Sequence, residues 1–180
     1  MPTKQAAADI IGLGLHEAVR SLFPRLDAVN IERFARQYSV NFRAHDKVPS
    51  KLFPYVGETL VSLKESGYLI AVATGKSRAG LDRVLGTMGM LDLFHGSRCS
   101  DESLSKPDPL MLYELLDEFD LSAGEAMMIG DTEFDLEMAS RAGIRSIGVS
   151  YGAHSRDRLM QHKPVAIIDN IMHINNYIKQ

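Results

Sequence analysis

Apolar residues in the first fifty positions recur at three- and four-residue spacing. Ile31, Phe34, Ala35, Tyr38 and Phe42 form one stripe among Glu32, Arg33, Arg36 and Gln37, which predicts an amphipathic helix in a region with no strand pattern. Pro49 and Pro54 punctuate "VPSKLFPYVG", and past them the rhythm becomes short apolar runs alternating with helical patterns. The runs are "YLIAVAT" (68–74), a weaker one around "FHGSRC" (94–99), "AMMIG" (126–130), "IRSIGV" (144–149) and "VAIID" (165–169). Between them, Leu81, Val84, Leu85 and Met88, then Leu112, Leu115, Leu116 and Phe119, are spaced for helices. Strands alternating with helices predict an α/β fold with a doubly wound parallel sheet, residues 53–180, preceded by a small helical part, residues 1–52.

Bulk properties narrow the function. The chain has 180 residues, 45% of them hydrophobic, and a formal charge of −3, values suited to one soluble globular unit with a small appendage. No block of like charge marks a nucleic-acid groove or an anionic membrane surface, so neither is an expected partner and small-molecule chemistry is favoured. The single cysteine, Cys99, allows no intrachain disulfide and has no His or Lys beside it, which predicts a buried structural thiol in a reducing, cytoplasmic setting. The start, "MPTKQAAADIIGLGL", lacks a basic leader and carries Asp9 within its apolar part.

In open parallel sheets, ligands bind beyond the carboxyl ends of the strands, so the residues at those ends are the candidates. The first run closes on Thr74, followed by "GKS". A nucleotide-binding phosphate loop would need glycine at position 70, which is Ile70, and is rejected; Thr74 and the backbone N–H groups near Gly75 can still receive a phosphate oxygen, or Thr74 can simply cap a helix. Lys106 stands in "SKPDP", where Asp108 is well placed to cap the next helix. A lysine before a turn is ordinarily a solvated charge, so Lys106 gains interest through its company. In "MIGDTEFDLEMASRAG" (128–143), Asp131 ends a strand and Asp135 follows one helical turn later, with Gly143 at the expected helix end. Asp131 alone reads as an N-cap. Two carboxylates that close, with Glu133 and Glu137 nearby, repel one another unless a cation neutralises them, and Mg²⁺ suits such a site.

Together "LIAVATGKS", "SKPDP" and "IGDTEFD" resemble the threonine, lysine and acidic motifs of the haloacid dehalogenase-like hydrolase superfamily, in its phosphoglycolate-phosphatase-like branch with a helical cap. The resemblance covers about residues 53–180, and more weakly residues 10–50 as most of the cap. It implies that Thr74 and Gly75 bind phosphate, that Lys106 steadies the nucleophile and the phosphate charge, and that Asp131 ligates Mg²⁺ with Asp135 supporting it. It also implies an Asp-x-Asp-x-Thr motif at the end of a first strand lying between the runs that end at Thr74 and Asp131. No such motif occurs in this sequence.

A sheet without that strand has a gap of roughly 10 Å, twice the ~4.8 Å strand spacing, flanked by unpaired edges. It could be closed by its neighbours, filled by "ADIIGLGL" as a substitute strand, or paired with another copy through the free edges; a shortened form of a longer protein is the preferred explanation. The expected function is that of a Mg²⁺-dependent phosphatase lineage. Its members hydrolyse a small phosphorylated metabolite through an aspartyl-phosphate, and this chain is expected to be inactive alone. The alternative is a non-catalytic phosphate- and metal-binding or regulatory protein. A response-regulator receiver domain is disfavoured because its acids should precede the threonine. No zinc pattern links the histidines; His154 in "YGAHSRD" could edge the site, but surface placement is expected for His16, His45 and His154, and the resemblance implies that the cap loop near Gly12–Leu15 touches the leaving group.

Overall fold

A computed structural model describes residues 1–45 and 51–178. Pro49, part of the proposed boundary, lies outside the described residues. Three helices come first, as the periodicity predicts: α1 (Lys4–Asp9), α2 (Leu15–Leu22) and α3 (Ala28–His45). Thr3 caps α1 by accepting from the Ala6 N–H. Helices α2 and α3 pack through Ala18 and Val19 against Ile31 and Ala35, with the Phe23 and Phe34 rings 5.2 Å apart. Phe34 remains 41% exposed beside Phe23, and the end of the α3 stripe is not covered: Tyr38 and Phe42 are 49% and 46% exposed. Length is the reason. At 1.5 Å per residue an 18-residue helix overhangs an 8-residue partner, and Tyr38 and Phe42 stack on each other beyond it.

Beyond residue 51 the alternation appears element by element. Helix α4 (Val56–Glu65) leads into β1 (Ala71–Thr74), α5 (Arg78–Met88) and β2 (Gly96–Cys99). Then come α6 (Leu110–Glu118), β3 (Met127–Gly130), α7 (Glu133–Arg141), β4 (Arg145–Val149), α8 (Arg156–Met160) and β5 (Ala166–Ile168). A short 3₁₀ turn, Ile171–Ile174, and α9 (Asn175–Ile178) close the described chain. Every strand pairing is parallel, as crossover helices require. Gly143, at φ 71°, takes the left-handed position just past α7, where its lack of a Cβ removes the steric penalty.

The strands form two sheets, β1–β2 and β3–β4–β5, not one. Both belong to one layer. Ala73 of β1 and Met128 of β3 pack on the same cluster of Met111, Leu112, Met138 and Ala139 on one side. On the other side, Ile70, Met127 and Ile129 share a cluster with Leu63, Ile147 and Ile168. Among the described residues β1 and β3 each have one unpaired flank, and burial records it: residues 146–149 of β4 are buried, whereas Met127, Met128 and Ile129 of β3 are only half-buried. Neither closure nor strand substitution fills the gap. "ADIIGLGL" is the end of α1 followed by a turn, not a strand.

Cys99 is fully buried at the end of β2, as expected, and burial pushes its thiol up to about 11. Because the thiolate is the nucleophile, Cys99 in the native chain should react with a thiol reagent at pH 8 about a hundredfold or more slower than in denaturant. Equal labelling rates in the two states would contradict this burial.

Candidate active site

The best-defined feature of the strand tips is a buried ion pair. Lys106 Nζ donates to Asp135 Oδ1 at 2.6 Å, with side chains only 8% and 5% exposed. Lys106 is thus no solvated surface charge. Its partner is fixed from the other side, since Asp135 Oδ2 accepts from the Thr132 backbone N–H at 3.1 Å and from the Thr132 hydroxyl at 2.8 Å. Thr132, not Asp131, is the N-cap of α7, and the Thr132–Asp135 pair makes a reciprocal capping box. The sequence carried that signal in "TEFD", a cap residue followed three positions later by an acid. Gly130 makes room for the arrangement: a Cβ there would stand 2.3 Å from the Asp135 Cβ.

The two acids therefore differ. The cation that neutralises Asp135 is the Lys106 ammonium, and both Asp135 oxygens are engaged by protein donors. Asp131 is held by the loop after β4. Its Oδ2 accepts from the Ala153 N–H at 2.9 Å, its backbone carbonyl accepts from the His154 N–H at 3.0 Å, and a side chain at Gly152 would collide with it. Asp131 Oδ1 accepts no hydrogen bond from the described residues. No cluster of three or more His, Cys, Asp or Glu among them is arranged to hold a metal ion. This donor set fits Mg²⁺ held through one carboxylate, with phosphate and water supplying the rest, and does not fit an all-protein cage.

His154 is a correction, because it is buried and not on the surface. Its Nδ1 accepts from the Glu133 N–H at 3.1 Å, satisfying one of the orphan donors at the start of α7, and its ring stands edge-on to Phe134. Burial, with Arg158 nearby, holds its pKa below the ordinary value, so the ring stays neutral. Nothing local in "YGAHSRD" announces that burial. His16 and His45 do lie on the exposed helices, His16 beside Glu32 at 2.7 Å.

Thr74 caps no helix. Its hydroxyl accepts from the Lys76 N–H at 3.1 Å, while Ser77 caps α5. Asp108 is not the N-cap of α6, a position Pro109 occupies, but its carboxylate accepts from the N–H of Leu110, the first residue of that helix, at 3.0 Å. The β1 tip meets the β2 tip where Ser100 Oγ donates to the Gly75 carbonyl at 2.8 Å. The turn between α1 and α2 joins these tips to the Lys106–Asp135 side. Gly12, at φ 109°, abuts the Thr132 side chain, the Gly12 and Leu13 carbonyls abut Gly75, and the Gly14 N–H donates to Ser105 Oγ at 2.7 Å. Lys106 and Asp135 thus meet directly, Asp131 stands at the same β3 end, and Thr74 and Gly75 at the β1 end reach that side only through the Gly12–Gly14 turn.

Residues 1–149 match the model of a family described as haloacid dehalogenase-like hydrolase. The chain belongs to that family. Over 175 residues it is 32% identical to the probable phosphatase IndB of Dickeya dadantii (strain 3937), covering 95% of this chain and 76% of IndB. Over 123 residues it is 33% identical to the phosphoglycolate phosphatase of Haemophilus influenzae (strain 86-028NP), covering 67% of this chain. The match spans about half, 54%, of that relative's length. The fold also matches the crystal structure of a haloacid dehalogenase-like hydrolase from Bacteroides fragilis with a TM-score of 0.88 at 26% identity, over 96% of this chain and 83% of that one. No described helix of this family member is long and apolar enough to cross a membrane.

Breaking a buried ion pair from one side strands a charge. Lys106→Met should cost about 3–5 kcal/mol of unfolding free energy in urea titrations. Lys106→Met combined with Asp135→Asn should recover at least half of that loss, because the amide oxygen introduced by the second substitution can still accept from Thr132 while carrying no charge. Losses that merely add would show that the two side chains act independently.

Proposed function

We propose that this chain carries the phosphate-binding half of a phosphatase site for a small phosphorylated metabolite, in the manner of the phosphoglycolate phosphatases it resembles. The observation that carries this reading is the buried Lys106 ammonium, held by Asp135 on the helix that follows the β3 end. An ammonium already desolvated and oriented pays little reorganisation when an anion arrives, so it favours the charge of a transferring phosphoryl group. Thr74 and the backbone N–H groups after β1 supply neutral donors on the opposite side of the crevice. Asp131 would hold Mg²⁺ through its Oδ1, and Asp135 would contribute indirectly by holding Lys106. When bound, the metal would offset phosphate charge and orient it.

Hydrolysis through an aspartyl-phosphate also needs a carboxylate nucleophile in line with the scissile P–O bond. Both acids at the β3 end have other tasks, and no Asp-x-Asp-x-Thr occurs among the 180 residues. The unpaired flanks of β1 and β3 define where a strand bearing that group would fit. The chain by itself therefore binds phosphate and turns it over negligibly, which is also how a non-catalytic binder of the same lineage would behave.

Calorimetric titration should detect orthophosphate binding in the presence of Mg²⁺, and Lys106→Ala should weaken it at least tenfold, the loss of a charge-assisted contact. Turnover of p-nitrophenyl phosphate should fall short of a complete enzyme by a factor on the order of 10⁶. Fusing a strand bearing Asp-x-Asp-x-Thr ahead of residue 1 should restore it if the chain is an enzyme fragment, and leave binding alone if it is a binder. Metal-dependent hydrolysis by the unmodified chain at about 1 s⁻¹ or faster would overturn the assignment of roles.

A further inference from the structure

Arg158, on α8, grips two carboxylates at once. Its Nε donates to Glu133 Oε2 at 3.0 Å and its Nη2 to Glu133 Oε1, while Nη1 donates to Asp9 Oδ1 at 2.7 Å and Nη2 reaches the Asp9 carbonyl at 3.4 Å. Glu133 opens α7 two positions after Asp131, and Asp9 is the last residue of α1, next to the turn that lies over the strand tips. The guanidinium thus ties the start of the chain to the crevice across 149 residues. Its fork matches this use: five fixed donors satisfy two acceptors from different elements, which a lysine could not do in one geometry.

We infer that Arg158 is a positioning residue for the crevice: through Asp9 it holds the Ile10–Gly14 turn down on the strand tips, and releasing Asp9 opens the crevice to an anion. The inference rests on the phosphate reading of the site only for the identity of that anion. In the latched arrangement the Gly12 and Leu13 carbonyl oxygens crowd Gly75, presenting partial negative charge beside the N–H groups a phosphate would use. The turn carries few other polar anchors. The Gly14 N–H bonded to Ser105 Oγ is one, and its exchange with solvent reports whether the turn is seated. The Asp9 side chain is 43% exposed and that of Arg158 27%, so the pair is partly solvated and its strength responds to salt.

The test measures hydrogen exchange of the Gly14 amide in the full chain. Asp9→Asn and Arg158→Met should speed it about tenfold, Arg158→Lys should fall between them and wild type, and Glu17→Gln, which alters the exposed pair with Arg20, should have no effect. Raising NaCl to about 0.5 M should speed exchange in wild type but not in Asp9→Asn, which ties the response to this ion pair. A Gly14 rate indifferent to Asp9→Asn, or a rise shared equally by the α7 and α8 amides, overturns the latch. In parallel, Asp9→Asn should bind orthophosphate about threefold or more tightly, because the closed state no longer competes. Equal affinity in Asp9→Asn and wild type overturns the link to anion entry. Exchange that responds as expected while no variant binds orthophosphate supports the latch and overturns the phosphate reading instead.

Discussion

The ion pair between Lys106 and Asp135 is the constraint around which the strand tips are arranged. Burying an ammonium and a carboxylate costs several kcal/mol per ion after relaxation, and their attraction repays this only when geometry and further hydrogen bonds are good. Here the carboxylate has those bonds: Asp135 takes two from Thr132, which caps the helix on which Asp135 itself sits. A cap, a helix start and a counter-ion are one unit. The pair contributes position more than stability, because it leaves Lys106 no freedom to seek solvent.

That unit determines what its neighbours can do. With Asp135 committed to Lys106, Asp131 becomes the carboxylate with an oxygen to spare, and the loop Gly152–His154 wraps it by backbone donors that need no side chain at Gly152. His154 then anchors this loop to α7 through the Glu133 N–H, and its neutral ring keeps a second positive charge out of a spot already served by Arg158. Each acid in "GDTEFD" has a different cationic or dipolar partner, so a cluster that looks repulsive along the chain is neutralised in space.

The split sheet follows from a separate balance. The α6 and α7 side chains pack across both sheets from one face, and Ile70, Met127 and Ile129 join a common cluster on the other. Apolar burial on both faces therefore holds β1 and β3 in one layer without hydrogen bonds between them, since hydrophobic contact is non-directional and a β ladder is not. The half-buried state of β3 is the visible cost, and it marks the flank where an added strand would gain both kinds of interaction.

The sequence by itself determined the order of strands and helices, the parallel pairing and the residues at the strand tips, because these depend on local spacing: apolar runs, helical periodicity, and glycine just past α7. It also carried the motifs that place the chain in its family, and it showed that Asp-x-Asp-x-Thr was absent. What it left open was which charge neutralises which. Lys106 meets Asp135 across 29 residues and Arg158 meets Asp9 across 149, and no periodicity relates positions that far apart. Only tertiary structure decided that His154 is buried and that Tyr38 and Phe42 of the α3 stripe extend past its partner. The physical reason is the same in each case: burial and long-range pairing belong to the packed chain, whereas spacing belongs to the segment.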